Sequence, residues 1–82
     1  MQNYPNPFNQ STSISFQVPT QCKVILKVYD IHGVEVATLV NQPVDAGQET
    51  GLFDAGNLTD GTYYYRLQAD KYTETRKFLL IR

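Results

Sequence analysis

The 82-residue chain has no tryptophan, a single cysteine, a single histidine and no apolar run near the length of a bilayer span. Each shortage excludes something. With only Cys22, no internal disulfide can form, so the fold must hold by packing, without the staple common in small secreted domains. Cys22 stands between Gln21 and Lys23 at the edge of an apolar run, where a turn or strand-start residue is expected and a reactive thiol is not. His32, beside Gly33, has no second histidine or cysteine near it, so it reads as a solvated turn residue and not as a metal ligand or general base. Without a run of roughly 18 apolar residues there is no candidate membrane-spanning helix. The opening MQNYPNPFNQ lacks the basic and apolar regions of a signal peptide, so a soluble chain with no export signal in that stretch is expected. Seven Lys and Arg against eight Asp and Glu give a net charge of −1, with the bases scattered, which argues against nucleic-acid binding.

What is present is alternation. Ile14, Phe16 and Val18 share one face of a strand over 12–18 and Ser13, Ser15 and Gln17 the other, with Pro19 as the stop. Residues 23–30 repeat the pattern around Val24, Leu26 and Val28. Asp30-Ile31-His32-Gly33 then reads as a tight turn into a strand over 34–40, which makes a β-hairpin. Val36 and Leu39 are three apart, a break in alternation that predicts a bulge or a twist at Ala37-Thr38. Residues 41–47, with Pro43, Asp45 and Gly47, read as a loop. A weak strand over 48–54 follows, centred on Phe53 and weakened by Gly51. Tyr63, Tyr65, Leu67 and Ala69 share one face of the next strand. A turn at Asp70-Lys71 leads to a last strand from Tyr72, whose ending Phe78-Leu79-Leu80-Ile81 predicts burial within a sheet.

Leu58-Thr59-Asp60-Gly61-Thr62-Tyr63 has the form of a tyrosine corner, with Leu58 and Gly61 permitting the Tyr63 hydroxyl to return to the upstream backbone. In the opening segment, Pro5 and Pro7 fix φ and lack donors, so residues 3–9 are expected to be an extended lead-in and not a paired strand.

With no sustained helical period, these elements predict an all-β chain: an immunoglobulin-like or fibronectin-III-like antiparallel β-sandwich of six or seven short strands. One domain over 1–82 is expected, with a Pro/Asn-rich lead-in at 1–10 and the sandwich at 11–82. At this size only about 60% of the unfolded surface is buried, so stability should be a few kcal/mol.

Asp30, Asp45, Asp54, Asp60 and Asp70 lie in five separate loops without the spacing of a calcium loop, and turn formation explains each. There is no nucleophile elbow, phosphate loop or Cys-His pair, so no catalytic residue, cofactor or metal site is expected. Tyr29, Tyr64 and Tyr72 are candidates for an aromatic platform for sugars, set against the ordinary solvated face of a sheet.

Taken together, N-Y-P-N-P-F-N at Asn3 to Asn9, S-T-S-I-S-F-Q-V-P at Ser11 to Pro19, V-Y-D-I-H-G-V-E-V-A-T-L at Val28 to Leu39, L-T-D-G-T-Y-Y-Y-R-L at Leu58 to Leu67 and T-R-K-F-L-L-I-R at Thr75 to Arg82 resemble the type A C-terminal sorting domain of type IX secretion. Gln10, Phe53 and Gly56 depart from that family's usual residues without disturbing the likeness. The resemblance implies a non-catalytic domain behind an unrelated cargo, recognised by the outer-membrane translocon and commonly cleaved by a sortase-like peptidase. The cargo would reach the medium or the cell surface by way of the periplasm and outer membrane, with no insertion of the domain into a membrane. On this reading Lys77, Phe78, Leu79, Leu80 and Arg82 are the expected translocon contacts. Asn3, Tyr4, Pro5, Asn6, Pro7, Phe8 and Asn9 are the N-terminal motif, with Tyr4, Pro5, Pro7 and Phe8 clamping the cargo junction. An alternative is an immunoglobulin-like accessory module for a protein partner or carbohydrate, since a domain of flagellar hook-capping proteins resembles the V-Y-D-x-x-G and G-x-Y segments. A small enzyme is a third reading without visible machinery.

Overall fold

The computed structural model describes the backbone of residues 2–4 and all of residues 10–56 and 58–81. Seven strands build it: β1 (Gln2–Tyr4), β2 (Ser11–Val18), β3 (Cys22–Tyr29), β4 (Glu35–Val44), β5 (Gly47–Asp54), β6 (Gly61–Ala69) and β7 (Tyr72–Leu80). They form a three-stranded sheet ordered β1-β2-β5 and a four-stranded sheet ordered β4-β3-β6-β7, with every pairing antiparallel. This is the expected all-β immunoglobulin-like sandwich.

Alternation places the core between the sheets. Ile14, Phe16 and Val18 from β2 face Val24, Leu26 and Val28 from β3 and Tyr63, Tyr65, Leu67 and Ala69 from β6, all buried. Thr12 joins them as the one buried polar side chain among the described residues. Phe78 is the aromatic hub. Its ring meets Tyr65 at 5.2 Å, Phe53 at 5.8 Å and Tyr63 at 6.4 Å between centroids, each edge to face, the arrangement favoured by ring quadrupoles.

The structure corrects four expectations. Residues 2–4 are a paired strand, with Gln2 opposite Ser15 and Tyr4 opposite Ser13; the prolines that forbid a ladder begin only at Pro5, so the preceding residues keep their donors. The rest of the lead-in, Pro5 to Asn9, lies outside the described residues. The predicted loop at 41–47 is strand as far as Val44, with Pro43 opposite Lys23. It is tolerated because β4 is an edge strand, where a missing donor breaks no ladder on the open side.

Gly51, read as a weakness, is buried where the sheets approach: a Cβ there would stand 2.9 Å from Leu26 Cδ2. Finally, β7 is not flanked on both sides but forms the edge of its sheet. Its apolar ending alternates, Phe78 and Leu80 inward and Leu79 outward. Four successive apolar residues are equally compatible with one buried face and an exposed apolar remainder.

The bulge in β4 is double. Register shifts beside Lys27 and Tyr29 leave Leu39 and Val36 as the extra residues, one on each side of Ala37-Thr38, and both pack against the core.

Candidate functional site

One end of the sandwich gathers segments far apart in sequence. The Asp30 carboxylate accepts the backbone N–H groups of His32 at 2.8 Å and Val34 at 3.0 Å. The Gly33 N–H bonds the Asp30 carbonyl at 3.0 Å, closing the β3-β4 turn with Gly33 at φ 82°. Beside it, the Ala55 N–H bonds the Gln10 carbonyl at 2.7 Å and the Leu58 N–H bonds the Ala55 carbonyl at 3.0 Å. The Tyr63 hydroxyl donates to the Thr59 carbonyl at 2.7 Å, the geometry of a tyrosine corner, while Gly61 at φ 148° turns the chain into β6. Leu58 packs against the core from this corner.

Between these loops lies an open cleft of about 490 Å³ lined by Ile31, His32, Leu58, Asp60 and Tyr63, among others. The end of β7 arrives here too, since Leu80 pairs with Gly61. Thr59, the acceptor, escaped the sequence reading because a backbone carbonyl leaves no side-chain signature.

Turn duty accounts for two of the five loop aspartates: Asp30 as above, and Asp54, whose carboxylate accepts the Gly56 N–H at 2.9 Å. Asp70 adopts φ 56° in the β6-β7 hairpin turn, a conformation that a short polar side chain tolerates. Among the described residues no three His, Cys, Asp or Glu side chains stand close enough to hold a metal ion.

The terminal strand divides its residues between two faces. Phe78 and Leu80, two of the expected translocon contacts, are each 1% exposed and belong to the core. Lys77 and Leu79 face outward, Leu79 being 40% exposed, and Ile81 is exposed beyond the strand. Arg82, and with it the predicted basic terminus, lies outside the described residues, as do the side chains of Asn3 and Tyr4 and the whole of Pro5, Asn6, Pro7, Phe8 and Asn9.

Further back on β7, the Tyr72 hydroxyl donates to one Glu74 oxygen and Arg76 Nε to the other at 2.6 Å. These bonds, Tyr72's first and Arg76's second, hold the Glu74 carboxyl below its ordinary value, and the carboxylate in turn raises both partners. This cluster went unread in the sequence, although the period of β7 puts all three residues on one face.

The three tyrosines do not form one platform. Tyr29 and Tyr64 are cross-strand neighbours on the outer face of the four-stranded sheet, and the Arg66 guanidinium covers the Tyr29 ring at 5.0 Å. Tyr72 pairs with buried Ala69 and so points to the opposite face. On the outer face Lys27 Nζ meets Glu35 at 2.9 Å, a bond that raises the lysine and lowers the carboxyl.

A search of curated proteins gave no match. A family model described as the secretion system C-terminal sorting domain matches residues 2–81, nearly the whole chain and every strand of both sheets. On that match the chain belongs to the C-terminal sorting domains of type IX secretion.

Proposed function

We propose that the domain is a non-catalytic tail that directs an attached upstream cargo through the type IX translocon across the outer membrane, for release or attachment at the cell surface. The family match over residues 2–81 carries this reading. The partners it calls for are the outer-membrane translocon and a sortase-like peptidase that separates the tail from its cargo. The N-terminal motif, Asn3 to Asn9, belongs to the cargo side of the same proposal.

The physical handle is β7. It is the edge strand of the four-stranded sheet, and sheet edges are where strand addition takes place. Lys77, Leu79 and Ile81 supply an exposed charge and apolar contacts beside that edge. Phe78 and Leu80 act indirectly, by fixing β7 to the core.

The test is export of a fused reporter in a host with type IX secretion. Removal of residues 75–82 should abolish export. The double variant Lys77→Ala/Leu79→Ser should keep its β-sheet circular-dichroism spectrum and still lose most export. Unchanged export of the double variant would remove the outward face of β7 as the signal.

A further inference from the structure

β2 is paired unequally on its two edges. Along β5 all of Ser11–Val18 have partners, whereas β1 covers only Ser13, Ile14 and Ser15. Among the described residues, Gln17 and Val18 have no strand on that side. β1 runs antiparallel to β2, so tracing the chain backward from Tyr4 to Gln2 moves along β2 from Ser13 toward Val18. Whatever precedes β1 is therefore already aimed along the bare edge.

Directly inside that edge the sandwich is open. A cleft of about 560 Å³ separates the end of β2 from the start of β7, with Phe16, Leu67 and Ala69 at its base and Pro19, Tyr72 and Glu74 at its rim. Tyr72 lies on the inward side of its sheet yet is 52% exposed, because nothing described covers it. A bare edge beside an uncovered inter-sheet cleft is what a sandwich shows where one strand stops short of its neighbour.

We infer that the segment joining the cargo to this domain continues the line of β1 along Gln17 and Val18 and roofs the cleft against Tyr72. The inference rests on the reading of the chain as a tail behind a cargo. The register specifies the occupant: a strand continuing that of Gln2 opposite Ser15 brings the residue just ahead of Met1 opposite Gln17 and the second residue ahead of Met1 opposite Val18. Val18 faces the core, so that second residue faces the cleft, where the lining calls for an apolar and preferably β-branched side chain. A tethered segment holds an advantage over a second copy, since a short connection keeps it at an effective concentration on the order of millimolar. The domain bearing its cargo is thus a more fully paired sandwich than the domain alone.

Three chains test this: residues 1–82; the same chain with its natural preceding residues; and that extended chain with proline at both positions opposite Gln17 and Val18. The natural extension should slow amide hydrogen exchange at Gln17–Val18 by about tenfold or more, and the two prolines should restore fast exchange. Equal rates in all three chains, or slowing that survives the prolines, would overturn the inference. Slowing that grows with protein concentration would overturn it in favour of a second copy on the edge. Reporter export is scored separately on the same chains. A bare edge with intact export counts against this inference alone, and a protected edge without export counts against the sorting role alone.

Discussion

At the level of single residues, the corner at Tyr63 shows how a local pattern becomes a tertiary constraint. The ring fills core space beside Phe78 while the hydroxyl satisfies the Thr59 carbonyl, so one side chain ties the backbone at Thr59 to β6. Tyr63→Phe keeps the ring and removes the bond, which should cost about 1 kcal/mol. For a domain of this size that lowers the melting temperature by about 4–8 °C, readable by thermal denaturation. An unchanged melting temperature would mean that water replaces the bond without loss. Gly51 is the complementary case. Its pairing with Ile14 was readable as part of a strand, but the approach of Leu26 from the other sheet was not, because nothing near Gly51 in sequence encodes it.

Among the elements, β7, on which the proposed recognition rests, was only half legible. Its strand character followed from period-2 apolar residues and the Asp70-Lys71 turn. Its position at a sheet edge did not, since four apolar residues in a row suit a buried strand equally well. The start of β7 also supplies a pH signature. Tyr72 and then Arg76 hold the Glu74 carboxyl below its ordinary value of 4.5, so the native state favours the charged form. That contribution is fully present above the unfolded value and is lost as the pH falls through the lower, folded value. Replacement Glu74→Gln should therefore reduce stability near neutrality by less than about 1 kcal/mol, the scale of a surface ion pair. The gap to the unmodified protein should close in acid. Urea titrations at pH 7 and pH 3 check this, and a gap of the same size at both values would exclude the carboxylate as its source. The spacing of Val36 and Leu39 pointed to one bulge or twist at Ala37-Thr38, and the structure has two irregularities instead, with Val36 and Leu39 themselves as the insertions.

For the whole molecule, the division between core and outward residues at the terminus separates the side chains that hold the fold from those proposed for recognition. Phe78 touches three aromatic rings, and its truncation to alanine should cost about 3–5 kcal/mol. A domain of this size has only a few kcal/mol in hand, so the Phe78→Ala variant should be largely unfolded at 37 °C, with its cooperative denaturation lost. Loss of export in that variant would then report a failed fold, whereas loss in the Lys77→Ala/Leu79→Ser variant would report a failed contact. A cooperative melt within a few degrees of the unmodified protein in Phe78→Ala would show that the aromatic hub is not central.

Read alone, the amino-acid order determined the class of fold, the inward face of most strands, the hairpin turns at Asp30–Gly33 and Asp70-Lys71, and the residues of the tyrosine corner. These depend on backbone periodicity and on turn chemistry within a few positions. Tertiary structure alone decided which strands became edges, why Pro43 is tolerated, where Gly51 is needed, and that Phe78 and Leu80 turn inward while Lys77 and Leu79 turn outward. Those outcomes depend on which strands become neighbours, as when Ser11 meets Asp54, and such partners are chosen by packing between residues remote along the chain.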